Sequence, residues 1–349
     1  MSFKRINNIT GWIVCIIACA VYIMTMEATG SLWDCGEFAS SAYKLQIPHP
    51  PGAPLFVLIG RLFMVPFDAA HAATGINLMS ALASGFTILF LFWSITHFAR
   101  KLVTKDGAEL TNEKIYGVMA AGIVGALAYT FSDSFWYSAV EGEVYALSSF
   151  FTAVVFWGIL KWEQSVDAEQ KEGIKGHFTK ADRWIILIFY LMGLSIGVHL
   201  LNLLTIPAIV MIYYYKRYEK ITKLGTFWAF LIGCGITGLV QKAVVVWTIK
   251  GAGNFDILFV NSFGLPYYSG FVFFFIFIGF LIFFGLKIAS KRNWNFLKLG
   301  LWSFVFMLLG YSTYFTTLVR SSADPSVDMF NVDNPVSLVG YLSREQYGD

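Results

Sequence analysis

Two carboxylates stand three positions apart in the stretch GSLWDCGEFASSAYKLQIPHPPGAP, Gly30 to Pro54: Asp34 and Glu37. On a helix this spacing puts both on one face. There one carboxylate can take the proton of an attacking hydroxyl while the other orients the reacting group. Ser31 and Asp34 also match a capping box, so Asp34 has a second reading as a group that satisfies backbone donors at a helix start. His49 follows among Pro48, Pro50 and Pro51, which must end any helix before them. A second acidic group lies in FSDSFWYSAVEGEVYAL, Phe131 to Leu147, and comprises Asp133, Glu141 and Glu143. Glu141 and Glu143 flank a glycine, so in a bent loop their hard oxygens could converge on one Mg²⁺ or Mn²⁺. A solvated turn would carry the same spacing.

Three further residues belong to the set. His199 in GLSIGVHLLNLL reads either as a ligand or as a hydrogen-bonded structural residue. Arg61 interrupts the apolar stretch 52–67, which reads as a helix lying on or dipping into a membrane surface. Arg320, in TTLVRSSADP, has two readings. Its planar fork suits a bidentate phosphate clamp, and its long stem suits a snorkelling anchor at the end of an apolar segment.

The elements that position these residues are apolar. Of 349 residues 57% are hydrophobic and 13% charged, with a mean hydropathy of +0.63; a soluble domain carries about 25% charged residues. Long apolar windows predict an all-α polytopic membrane protein of about nine spans, near 9–26, 73–98, 115–131, 144–161, 184–198, 200–215, 225–248, 269–287 and 297–318. The fifth and sixth are short and meet at His199, as a bent or re-entrant pair would. With the N-terminus inside, only Lys44, Arg61, Lys242, Lys250, Arg320 and Arg344 fall outside the inner segments, which leaves 19 of the 25 basic residues inside. The 27–72 loop and the C-terminal tail then face outward. So do 13 of the 22 acidic residues, from Glu27 to Asp349. The chemistry is therefore expected at the outer membrane boundary.

Other classes are excluded or left weak. No basic tract with interleaved aromatics is present, so nucleic acid is not an expected partner. Among Cys15, Cys19, Cys35 and Cys234 only Cys35 falls in a loop, so no disulfide framework is implied. The charged inner loop near 162–183 reads as solvated. The expected organisation is one transmembrane domain over 1–319, then 320–349 as the start of an outward region that continues beyond this chain.

Five stretches in order resemble the GT-C glycosyltransferases: WDCGEF (33–38), PHPPGAPLF (48–56), WYSAVEGEVYAL (136–147), GLSIGVHLLNLL (193–204) and YLSREQYGD (341–349). The resemblance is closest to a branch that was defined as a domain of unknown function, with many bacterial members and an animal protein O-mannosyltransferase. It implies a GT-C-like fold with membrane-surface helices in the first outward loop. It also implies transfer of a sugar, mannose first, from a polyprenyl-phosphate donor to hydroxyls of exported proteins. Asp34 would be the base and Glu37 its positioning partner. Substrate would be met by His49, Arg61, Glu141, Glu143, His199 and Arg320, with a divalent cation at Glu141 and Glu143 as the one candidate cofactor. The expected location is the bacterial inner membrane with the site facing the periplasm; the endoplasmic reticulum membrane is the alternative. One departure stands out: DPSVDMFN, 324–331, has Met329 where the branch tends to carry a glutamate. The rival expectations are a transporter or flippase for a lipid-linked substrate, and an anchor subunit of an envelope complex.

Overall fold

The computed structural model describes residues 2–348; Asp349, the last residue of YLSREQYGD, lies outside them. The chain is all-α, and among the described residues the only strand-like pairing is an isolated bridge between Ile47 and Asp328. The helices are α1 (Phe3–Thr25), α2 (Cys35–Lys44), α3 (Pro54–Met64), α4 (Ala72–Val103), α5 (Asn112–Thr130), α6 (Asp133–Val140), α7 (Val144–Lys171) and α8 (Arg183–Ile196). After them come α9 (Ile206–Arg217), α10 (Lys223–Leu239), α11 (Thr248–Phe263), α12 (Ser269–Lys291), α13 (Asn295–Tyr311), α14 (Phe315–Ser321) and α15 (Pro335–Ser343). A π-helical stretch, Val240–Trp247, joins α10 to α11 without a break.

All nine expected spans fall on helices, but their count changes. Among the described residues, six helical stretches are long and apolar enough to cross a membrane, and the pair α5 and α6, bent by 67°, makes up to seven. The exceptions are α8 and α9, at 14 and 12 residues. At 1.5 Å per residue they reach about 21 and 18 Å, short of the ~30 Å of hydrocarbon. Between them lies a six-residue 3₁₀ turn, Leu200–Thr205. A short pair that enters and returns leaves the sense of every later span unchanged.

The chain forms two compact units, one of Met1–Lys44 with Phe56–Leu160, the other of Leu45–Leu55 with Lys161–Asp349. The first is built on α1, α4, α5 and α6, whose core includes Val14, Ala18, Tyr22, Ile88, Phe92, Met119, Ala126 and Phe135. From Ile9 onward α1 is apolar on all faces but for Thr10 and Thr25: Tyr22 is fully buried while Ile13 and Ile16 on another face stay exposed, as a lipid-facing helix requires. The Tyr22 hydroxyl donates to the Thr130 carbonyl at 2.9 Å, so the one polar atom of a buried ring is satisfied. Beyond α1 the chain is tied to α4. Asn77 Nδ2 donates to the Glu27 and Thr29 carbonyls at 2.8 and 3.0 Å.

In the second unit, the inner loop expected to be solvated is largely structured. Helix α7 runs on to Lys171, and Glu163, Glu169 and Asp182 are buried. Buried charges require partners, and they have them. Arg217 Nη2 donates to Asp182 Oδ1 at 2.8 Å, where Trp162 Nε1 also donates at 2.8 Å. Lys216 reaches Asp167 at 2.7 Å and Glu163 at 3.2 Å. Glu169 accepts from the Ala181 amide at 2.7 Å.

The same unit holds the proline strap, Leu45–Leu55. The Ile47 amide donates to the Val327 carbonyl at 3.0 Å, and the Met329 amide to the Ile47 carbonyl at 3.2 Å. The Leu55 amide donates to the Gly197 carbonyl at 2.8 Å. Three side chains complete the attachment. Tyr341 donates its hydroxyl to the Pro48 carbonyl, Tyr314 to the Gly52 carbonyl at 3.3 Å, and Arg320 its Nε to the Leu45 carbonyl at 2.8 Å. Gly52 has a φ of +73°, and a Cβ there would collide with the Tyr341 hydroxyl. Tyr341 is fully buried, so Tyr341→Phe should leave the Pro48 carbonyl unpaired at a cost of about 1–3 kcal/mol. Thermal melting of the purified protein should show this as a lower midpoint, while Tyr347→Phe, at an exposed position, should melt like the wild type.

Candidate functional site

Helix α2 starts at Cys35, so Asp34 rather than Ser31 occupies its N-terminal boundary, and the Asp34 carbonyl accepts from the Phe38 amide at 2.9 Å. The expected capping box does not form: Ser31 Oγ is buried without a hydrogen-bond partner among the described residues. The helix buries Cys35, Phe38, Ser41 and Ala42 and leaves Asp34 and Glu37 half-buried on another face. A carboxylate oxygen of Asp34 and one of Glu37 lie within 4.8 Å of each other. Asp34 stands one residue before the helix, so the two carboxylates come together at its N-terminal boundary rather than on one helical face.

The second acidic group meets the first within the same unit. Residues 141–143 form the turn between α6 and α7, and Gly142 is pressed against α4. A Cβ at Gly142 would stand 2.6 Å from Ile76 Cγ2 and 3.1 Å from Asn77 Oδ1, so only glycine lets the two glutamates flank that contact. Glu141 is half-buried and Glu143 is 4% exposed. Glu143 Oε1 accepts from the Cys35 thiol at 3.7 Å and Oε2 from the Val144 amide at 3.3 Å. Burial, reinforced by the charges of Asp34 and Glu141, pushes the Glu143 carboxyl up to about 7. Burial and the carboxylates of Glu143 and Glu141 likewise push the Cys35 thiol up to about 12, so it acts as a hydrogen-bond donor and not as a nucleophile.

The remaining expected residues divide by unit. Arg61, on α3 in the first unit, lies with its guanidinium carbon 5.2 Å from the centre of the Tyr43 ring on α2, a cation–π contact. Asp133 is in the first turn of α6. The other three belong to the second unit. His49 rides on the strap, with its carbonyl accepting from the Gly52 amide at 2.9 Å. His199 Nδ1 accepts from the Leu201 amide at 3.2 Å and caps the 3₁₀ turn, which is the structural role open to it in the sequence. Arg320 holds the Leu45 carbonyl through Nε, so that donor is engaged in attachment.

A cation shared by Glu141 and Glu143 does not fit this geometry. Glu143 faces two hydrogen-bond donors and a low-dielectric surrounding that favours its protonated form. Asp34 and Glu37 are the pair whose oxygens face each other. Asn77 and Cys35 hold the site together, and sequence reasoning missed both; an asparagine within an apolar span was the available signal for the first.

Residues 34–222 match the family model described as Protein O-mannosyl-transferase TMEM260 N-terminal domain. A Dictyostelium discoideum protein named Protein O-mannosyl-transferase tmem260 is 27% identical over 221 residues, covering 60% of this chain and 23% of its own length. The Mus musculus protein of the same name is 25% identical over 155 residues, covering 44% of this chain and 20% of its own length. The chain thus spans less than a quarter of the length of either relative in the matched region. No solved structure matches. The matched segment begins at Asp34, takes in both acidic groups and His199, and extends over more than half of the chain, so the chain belongs to the TMEM260 protein O-mannosyl-transferase N-terminal domain family.

Proposed function

We propose that this chain is the membrane-embedded catalytic part of a protein O-glycosyltransferase. The donor is a polyprenyl-phosphate sugar, mannose first, and the acceptors are hydroxyls of exported proteins at the outer membrane face. The observation that carries the reading is the facing pair Asp34 and Glu37 beside buried Glu143 in a chain of this family. The acceptor oxygen attacks the sugar's anomeric carbon while its proton passes to the Asp34 carboxylate. The bond from that carbon to the phosphate oxygen breaks, and the electron pair leaves with the phosphate. The polyprenyl phosphate monoester that departs as a dianion is a far weaker base than an alkoxide and needs no proton as it leaves, so one carboxylate suffices, unlike the paired acid and base of glycoside hydrolysis. Glu37 orients the acceptor or the base. Arg61, held against Tyr43, is a cation of the same unit proposed to face developing phosphate charge; His49 and Arg320 are further candidates for donor binding. The bacterial inner membrane with a periplasmic site remains the favoured location, with the endoplasmic reticulum as the alternative.

Where a divalent cation takes part, Asp34 and Glu37 are the residues to hold it, and it would supply positive charge toward the phosphate. Ligation would occupy the lone pairs that a base needs, so the two roles are separable. Transfer from a polyprenyl-phosphate mannose to a peptide acceptor should survive excess chelator. A loss that Mn²⁺ restores would make Asp34 a ligand and assign deprotonation elsewhere.

The central test is Asp34→Asn, which keeps shape and capping ability but cannot accept the proton. Transfer should fall by about 10²–10⁴-fold with unchanged melting. A variant that folds and transfers at the wild-type rate would reduce Asp34 to a helix boundary.

Glu143 generates a pH prediction. Below pH 4.5, its ordinary value, folded and unfolded chains both hold the proton. Between 4.5 and about 7 the unfolded chain releases it while the folded chain keeps it, so stability falls as pH rises across that window and is level above it. Glu143→Gln is neutral throughout. Its melting temperature should therefore gain on the wild type's between about pH 5 and about pH 8, and a constant difference would mean that Glu143 is not held protonated.

A further inference from the structure

A cavity of about 430 Å³ opens in the second unit beside the first turn of α12. It is lined by Asp256, Ile257, Val260 and Asn261 of α11, by Tyr267 and Tyr268 of the following turn, and by Asp333 to Val336 at the start of α15. Helix α12 has 23 residues and is about 34 Å long, close to the ~30 Å of a hydrocarbon layer. The cavity is thus one membrane thickness from the basic end of α12 at Lys291.

Most of its polar groups are engaged in building it. Buried Asp256 accepts from the Tyr268 amide at 3.2 Å through Oδ2, and from the Gly270 and Phe271 amides at 3.1 and 3.3 Å through Oδ1. The Tyr268 hydroxyl donates to the Asp333 carbonyl. Asn334 caps α15, accepting from the Val336 and Ser337 amides at 2.9 Å, and its Nδ2 donates to Asp333 Oδ1 at 2.8 Å. Three groups remain without a partner among the described residues: the Asn261 amide, Asp333 Oδ2, and Tyr267, which is 78% exposed.

This remainder defines a ligand class. No basic residue lines the cavity, so phosphates and other anions lack a counter-charge. The Asp256 charge already faces three amides, which leaves a single carboxylate oxygen, too little to hold a bare cation. The volume falls in the range of small-molecule sites, about 300–1,000 Å³, and exceeds what a side-chain ammonium needs. The open groups are an amide that donates and accepts, an acceptor oxygen, and an aromatic face beside the apolar patch of Ile257, Val260 and Val336. A pyranose ring presents the complement: hydroxyls that both donate and accept, and a face of C–H bonds.

We propose that this cavity is a saccharide-binding site. The Tyr267 ring covers the C–H face of a pyranose, while Asn261 and Asp333 hydrogen-bond to its hydroxyls. The site lies outside the acidic loops, involves no bond making, and does not depend on the reaction proposed above.

The test uses the full chain in lipid nanodiscs, free of glycoside detergents that would compete. Saturation-transfer NMR with methyl α-mannopyranoside and methyl β-glucopyranoside should show transfer to ring C–H protons of at least one. The signal should fall by at least about fivefold in Tyr267→Ala and in Asn261→Ala, and persist in Tyr267→Phe, which keeps the ring. It should also persist in Asp34→Asn, so that sugar at the acidic pair is told apart from sugar here. Three results would overturn the proposal: no transfer to either pyranoside, a signal unchanged in Tyr267→Ala and Asn261→Ala, or argininamide binding that neither pyranoside displaces.

Discussion

Proline has no backbone N–H, and the strap from Leu45 to Leu55 contains four prolines. Apart from the His49 carbonyl, which accepts from the Gly52 amide, its carbonyls find their donors outside the strap. The second unit answers with long side chains: Arg320 to Leu45, Tyr341 to Pro48, Tyr314 to Gly52. Each donor sits on a different element after the last long helix. The residues from Ser312 to Ser343 are fixed in place by this need, and Asp328 and Ile47 form their bridge within the same attachment. The resemblance motifs in this unit are those that touch the strap, namely the stretch around Gly197 and the stretch that starts at Tyr341. Their shared role is to satisfy backbone that proline leaves bare.

The first unit solves an electrostatic problem. Asp34 and Glu141 are close enough to Glu143 to disfavour its charge. Water screens the half-buried pair, Asp34 and Glu37. Glu143 has no such screening, and the surrounding structure gives it a thiol and an amide as donors while favouring its neutral form. A carboxyl whose neutral form is favoured beside two other acidic side chains keeps the charge of the cluster down.

Much of this was legible in the sequence, and the limits have physical causes. Apolar windows located α1, α4, α7, α12 and α13 because lipid demands uniform apolarity along a segment, but they stopped at 248 and left out α11. The shortness of the segments around His199 was visible, and it became a broken pair of helices rather than two full spans. The pairing of residues 34–37 with 141–143 was not visible, because it depends on Asn77 gripping the chain after α1 and on Gly142 lying flat against α4. The inner loop was misread as solvated because its charges are neutralised by residues far along the chain, Asp182 by Arg217 and Glu163 by Lys216. Composition counts charges but does not show which of them meet. The Ser31 and Asp34 pattern failed for a local reason: the helix starts one residue after Asp34, so the motif falls outside it.

Asp182 and Arg217 bracket α8 and α9, one just before the first helix and the other at the end of the second. Neither helix is long enough to anchor itself by lipid contact alone, and their ion pair, almost fully buried, joins the two feet. Neither charge can be left alone in that surrounding, since breaking such a pair costs far more than an exposed one. Trp162 and the Thr179 amide give Asp182 hydrogen bonds from earlier in the chain, but its counter-charge comes only with Arg217. With Arg217 in place, the start of α8 and the end of α9 are held together as one body.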